Sequence, residues 1–130
     1  MGSLKIMLTN HPSVLIKEDE WPVIAQGNHT IDTRELMRGG GRASIINFYV
    51  RQHSDGRVIV NSTYHTMTKW QEERLNPMPI YYGGKLLQED EDILSAIRET
   101  ESHMIQSGGV DEYIHLAVGK CLENFSPIEL

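Results

Sequence analysis

The sequence predicts an α+β domain in which an antiparallel sheet, built around a central hairpin, packs one face against two C-terminal helices. Residues 43–66 hold two β-rich runs on either side of a Ser-Asp-Gly turn at residues 54–56, a pattern typical of a hairpin. From residue 93 onward, apolar residues recur at helical spacing, and Gly108 and Gly109 divide them into two helices. A chain of 130 residues fits one domain, so we expect a single unit over residues 1–130.

The first 25 residues carry weaker signals. Weak alternation over residues 4–8 predicts an edge strand, and the apolar run at residues 14–16 predicts a second strand. A short helical turn is predicted over residues 19–25, because Pro22 is acceptable in the first turn of a helix. In that segment we expect Trp21 to anchor the core; stacking on a ligand is the less favoured alternative.

The next segment leads into the hairpin. Residues 26–28 are expected to interrupt regular structure, and alternation over residues 29–38 favours a strand over a capped helix. Three glycines then stand between Arg38 and Arg42. Backbone N–H groups in such a loop could bind a phosphate, but a β-rich run follows where a phosphate loop normally leads into a helix. A flexible hairpin loop is therefore the preferred interpretation.

The turn of the central hairpin decides which residues share a face of the sheet. A two-residue loop of Asp55 and Gly56 would pair Val50 with Asn61, which places an apolar residue beside a polar one. A three-residue loop that includes Ser54, with Gly56 in the left-handed region, pairs Val50 with Val60 instead. Since a shift of one residue moves every side chain to the other face, the consistent faces of the three-residue loop favour that register.

This register leaves one face of the hairpin polar. The face presents hydrogen-bonding side chains from both strands: Asn47, Tyr49, Arg51, Asn61, Thr63 and His65. An ordinary solvated sheet face is the plainer interpretation, because antiparallel sheets commonly expose one side to water. A binding or catalytic face is the sharper hypothesis, and these six residues are its candidate binding residues.

The remaining patterns do not assemble a catalytic or metal site. None of the six histidines has the spacing of metal ligands, so we expect neither a metal nor another cofactor. The single cysteine, Cys121, lies in the apolar stripe of the second helix, where an inert core thiol is expected. The carboxylates at residues 89–92 favour a helix N-terminus, with its cap at residues 88–90, over acid/base chemistry.

Charge is distributed unevenly along the chain. The formal net charge is −6, with nine basic and eight acidic residues up to Gly84 but three and ten from Lys85 onward. The acidic half disfavours nucleic acid and anionic membrane, since both would be repelled. One weak feature favours nucleic acid instead. It is a basic ribbon, whose members are Arg34, Arg38, Arg42, Arg51 and Arg57.

Location follows from two further features of the composition. The single cysteine favours a reducing compartment, and no run of about 18 apolar residues exists to span a membrane. We therefore expect a cytoplasmic protein.

Two segments resemble a group of small uncharacterised bacterial proteins. They are Glu-Trp-Pro-Val-Ile-Ala at residues 20–25 and Val-Arg-Gln-His-Ser-Asp-Gly-Arg at residues 50–57, together with Cys121 ahead of the last four residues, Pro-Ile-Glu-Leu. The resemblance implies a bacterial or mobile-element origin and carries no activity with it.

The functional hypothesis that these observations favour is a small non-catalytic binding or regulatory protein whose partner is another protein. One alternative is a small enzyme with its site on the polar sheet face and His65 as the acid/base group. Another is an acidic inhibitor of a nucleic-acid enzyme, with carboxylates of the first helix acting as phosphate mimics. The pattern leaves open whether the protein forms a homo-oligomer.

Overall fold

The structure, a computed structural model, describes residues 2–9, 11–32, 42–68, 81–88, 91–108 and 111–125. It contains a two-stranded and a four-stranded antiparallel sheet, followed by two helices, which confirms the predicted α+β class. The elements are β1 (Ser3–Leu8), β2 (His11–Lys17), a 3₁₀ turn (Glu18–Glu20), β3 (Val23–Asp32), β4 (Arg42–Gln52), β5 (Val58–Thr68), β6 (Tyr81–Leu87), α1 (Ile93–Gln106) and α2 (Asp111–Leu122). In the larger sheet, the strands lie side by side in chain order from β3 to β6.

The loop between β4 and β5 has the predicted three-residue form. The N–H of His53 donates to the carbonyl of Arg57 at 2.9 Å, which closes the loop around residues 54–56. Gly56 has a φ of 99°, in the left-handed region that favours glycine. The loop therefore sets the pairing of the two central strands.

The pairing of β4 with β5 follows the predicted register. Val50 lies opposite Val60, and Phe48 lies opposite Ser62. These four residues are fully buried beneath the helices, because their side chains share one face of the sheet. The main core continues from them into both helices, through Ile46, Tyr64, Ala96, Ile97, Met104, Ile114, Ala117, Val118 and Cys121.

The two helices lie side by side on this face, with α1 against β5 and β6 and α2 against β3 and β4. The carboxylate of Asp92 accepts a hydrogen bond from the N–H of Ser95 at 3.1 Å, so Asp92 is the N-cap, a few residues after the predicted cap. After α1, Gly108 has a φ of 112°. That value explains why the helix ends at the predicted glycine.

The segment after β2 differs from the prediction. The short 3₁₀ turn covers only Glu18–Glu20, and β3 then runs without interruption through residues 26–28. Pairing with β4 overrides the local signals, since β3 finds a partner along almost its whole length. Trp21, just before β3, is 5% exposed and serves as the core anchor that the sequence predicts.

The β1–β2 hairpin covers part of the sheet face opposite the helices. Ile6, Leu8 and Ile16 of the hairpin pack with Trp21 and with Ile59 of β5 in a second, smaller core. At the end of β1, the N–H of Thr9 donates to the Gly84 carbonyl at 2.9 Å, and its hydroxyl accepts from the Gly84 N–H at 3.0 Å. The hairpin is thus attached to the edge of β6 and to the second face of the sheet.

Several predicted features lie outside the described residues. They include the three glycines at residues 39–41, the segment around Trp70 and the proline at residue 127. Two members of the predicted basic ribbon, Arg34 and Arg38, also fall there.

Gly27 of β3 lies where the backbone of α2 packs closely against the sheet. A β-carbon on Gly27 would stand 2.2 Å from the Ala117 carbonyl oxygen and 2.3 Å from the Cys121 backbone nitrogen. Gly27→Ala should therefore lower the free energy of unfolding by about 3 kcal/mol, because backbone atoms of α2 must move. Urea unfolding followed by circular dichroism measures the change.

Gly119 provides the matched control. A β-carbon at this exposed helical position meets nothing within 4 Å, so Gly119→Ala should raise stability by about 0.5–1 kcal/mol through helix propensity. Equal stabilities for the two variants would contradict the close packing of α2 on β3.

Candidate functional site

The six candidate residues of the polar face lie on the sheet surface opposite the helices, as the register requires. Tyr49 stands opposite Asn61, and Asn47 stands opposite Thr63. His65 follows Thr63 by two residues on β5. Arg51 follows Tyr49 by two residues on β4 and lies nearer the loop. Five of the six are half-buried, whereas Asn61 is only 8% exposed. The structure therefore brings the six together but leaves them unequally accessible.

The outer strands extend this face with residues that the sequence did not identify. On β3, Gln26 lies opposite Tyr49, and Asn28 lies opposite Asn47. On β6, Tyr82 lies opposite Thr63 and is 38% exposed. The signal on β3 was present, since polar residues alternate at 26, 28 and 30, but the expected interruption at residues 26–28 concealed it. We call this surface the polar sheet face; it comprises Gln26, Asn28, Thr30, Asn47, Tyr49, Arg51, Asn61, Thr63, His65 and Tyr82.

At one corner of the polar sheet face, the side chain of Arg51 is held by contacts within the protein. The Nη1 of Arg51 donates to the carbonyl of Trp21 at 3.2 Å, and its guanidinium lies 5.7 Å from the centroid of the Tyr49 ring. The Nε of Arg51 and the Oδ1 of Asn61 are buried and have no hydrogen-bond partner among the residues that the structure describes. Because Asn61 is only 8% exposed and Arg51 is held by the Trp21 carbonyl, these two are poor contact residues for a partner.

The electrostatics of the polar sheet face differ from those of the rest of the molecule. None of its described side chains is acidic, although the protein as a whole carries a net charge of −6. Arg51 is its one described cationic side chain apart from the titratable His65. Apart from Arg51 and His65, the side chains of the polar sheet face are amides, hydroxyls and two tyrosine rings, and Ile45 adds an aliphatic side chain on the same side, opposite His65.

The described carboxylates at the start of α1 and along it form contacts within the protein. The Nζ of Lys85 contacts the carboxylates of Glu91 and, at 3.1 Å, Glu99. These contacts raise the pKa of Lys85, with Glu91 contributing most. The Lys85 ammonium in turn lowers the pKa of Glu91, helped by the N–H of Gln88. These carboxylates already have cationic partners, which weakens the hypothesis that they mimic phosphates.

Glu101 joins the two helices. It is 7% exposed, and its oxygens lie 3.1 Å from Arg98 Nη1 on the same helix and 2.9 Å from His115 Nδ1 on α2. Arg98 places a positive charge beside this nearly buried carboxylate, and the His115 ring lies within hydrogen-bond distance of it. Glu101 and His115 therefore have a structural role between α1 and α2.

A second polar cluster surrounds the loop of the central hairpin. The N–H of Arg57 donates to the Asp55 carboxylate at 3.0 Å, and its guanidinium Nε adds a contact of 2.8 Å. These hydrogen bonds hold the pKa of Asp55 below its ordinary value. The guanidinium of Arg57 also lies 5.1 Å from the ring of Trp21, whose centroid is 5.1 Å from that of His53. The cluster rigidifies this end of the sheet.

The Cys121 thiol lies in the core, as the sequence predicts. Cys121 is fully buried, and burial raises the pKa of its thiol to about 11. Within the described ranges, no three His, Cys, Asp or Glu side chains stand close enough together to hold a metal ion. None of the helices in the described part of the chain is long and apolar enough to cross a membrane.

Comparison with protein-family models, with curated proteins and with solved structures found no match.

The burial of the Cys121 thiol leads to a prediction about its rate of chemical modification. In the native protein, Cys121 should react with Ellman's reagent at pH 8 far more slowly than in urea, because the raised pKa leaves little thiolate. Absorbance at 412 nm measures the released thionitrobenzoate, and Cys121 is the only cysteine in the chain. Equal rates with and without urea would show that the thiol is accessible.

Proposed function

We propose that this protein is a non-catalytic binding or regulatory protein that recognises another protein through its polar sheet face. One observation carries the proposal. The register gathers hydrogen-bonding side chains from all four strands of one sheet on the side away from the helices. Strands hold such groups at fixed spacing, so a partner meets a preorganised surface and loses less entropy on binding.

The composition of this face supports a protein as the partner. Tyr49 and Tyr82 provide large, rigid contact area at low conformational cost, and neighbouring amides and hydroxyls provide adaptable hydrogen bonds. Nucleic acid is less well supported, because its affinity depends on several cationic contacts to phosphates. Arg51 is the one arginine or lysine among the described side chains of the face, and it is held by the Trp21 carbonyl.

We also propose a bacterial origin and a cytoplasmic location. The single cysteine, buried as a free thiol, supports a reducing compartment, and the resemblance at residues 20–25 and 50–57 supports the origin.

Capture experiments with surface variants test the proposal. Immobilised protein should capture a defined partner from a lysate of the host cell, with mass spectrometry identifying it. The double variant Asn28→Glu, Tyr49→Ala should lose at least about 90% of that capture, since loss of one tyrosine contact alone is worth about 1–2 kcal/mol. Arg51 is left unchanged, because it supports the fold through Trp21.

A matched double variant controls for general surface effects. Glu112→Lys and Leu116→Ala change an acidic and an apolar exposed residue on α2, and this variant should capture as much as the unaltered protein. Thermal unfolding of each variant shows that the fold is retained. Equal capture by both double variants, or no capture by the unaltered protein, would overturn the proposal.

A further inference from the structure

A cleft lies at the loop end of the central hairpin, away from the open part of the polar sheet face. Its volume is about 840 Å³. One wall is formed by the 3₁₀ turn and the start of β3, with Asp19, Glu20, Pro22 and Ile24. The other is formed by the end of β4 and the hairpin loop, including Gln52 and Ser54. The cleft is separate from the surface proposed above to bind a protein partner.

An irregularity in β3 provides the apolar part of this wall. Val23 pairs with Arg51, but the next pair joins Ala25 to Val50, so Ile24 is an extra residue between them. Such a bulge redirects side chains that regular alternation would place on opposite faces. Val23 is 39% and Ile24 is 40% exposed. Ile24, which lines the cleft, therefore stands partly in water.

The charges around the cleft do not cancel. Lys17 lies 4.0 Å from Glu20, and Asp55 contacts both Arg57, at 2.8 Å, and the ring of His53, at 3.1 Å. His53 lines the cleft, so the basic groups around it already have acidic partners. Asp19 forms no ion pair with any residue in the described part of the chain, and it lines the cleft. The charge left over is negative and stands beside the exposed apolar wall.

We propose that this cleft binds a basic, apolar peptide segment: an extended stretch in which lysine or arginine alternates with aliphatic residues. The occupant's cation would approach Asp19, and its aliphatic side chain would cover Ile24. The polar side chains of Gln52 and Ser54 on the opposite wall would provide hydrogen bonds to the peptide backbone. Charge complementarity selects a basic segment over an acidic one, since an acidic segment would meet uncompensated carboxylate.

Fluorescence anisotropy with labelled peptides tests the proposal. A capped peptide of alternating leucine and lysine should bind, and the same peptide with glutamate in place of lysine should not. Binding should weaken as salt rises from roughly 50 to 500 mM, because exposed charge pairs are screened. In ¹⁵N-labelled protein, the lysine peptide should shift the amide signals of residues 19–21, 23–24 and 52–56.

Two pairs of variants locate the site. Asp19→Lys should weaken binding of the lysine peptide about fivefold, as expected for an exposed ion pair, whereas Glu112→Lys should leave it unchanged. Ile24→Asn should also weaken binding, whereas Leu116→Asn, at another exposed apolar position, should not. Thermal unfolding establishes that the four variants fold.

The outcomes separate this proposal from the one above. Equal binding of the glutamate peptide, no binding of the lysine peptide, or equal affinity of Asp19→Lys and Glu112→Lys would overturn it. Amide shifts confined to the polar sheet face would also overturn it. None of these results bears on capture by the Asn28 and Tyr49 surface, because those residues do not line the cleft.

Discussion

The register between β4 and β5 is the constraint on which the two faces of this protein depend. The loop at residues 54–56 closes so that Val50 meets Val60, and all other pairs of the two strands follow. Because side chains alternate along a strand, a slip of one residue would turn the apolar set away from the helices. The same slip would bury Tyr49 and Asn47 against α1 and α2. The form of one loop therefore decides which residues lie in the main core and which lie on the polar sheet face.

Close packing of α2 on β3 is the second condition. Gly27 leaves no room for a side chain against the backbone of α2, and the Asn124 side chain donates to the Gln26 carbonyl at 2.9 Å just after the helix. These contacts hold β3 in the sheet although its local sequence predicts an interruption. Since β3 supplies Gln26, Asn28 and Thr30, the packing of one helix on the other face widens the polar sheet face.

The candidate site could be predicted in part. The six residues of β4 and β5 followed from alternation and loop length, both of which are local properties. The residues of β3 and Tyr82 of β6 did not, because strand order is a tertiary property. Nor could alternation show that the β1–β2 hairpin packs on Ile59, or that Asn61 is left only 8% exposed. The cleft needs the bulge at Ile24, which depends on pairing with β4.

By itself, the sequence determined the α+β class, the central register, the two helices and the core positions of Trp21 and Cys121. Each follows from short-range patterns: periodicity, a Gly-containing turn or a helix end. Only the tertiary structure decided that residues 23–32 form one strand, which partners the acidic residues of α1 have, and which polar residues remain accessible. Those outcomes depend on contacts between different segments of the chain, such as Lys85 with Glu99. Local sequence patterns do not predict such contacts.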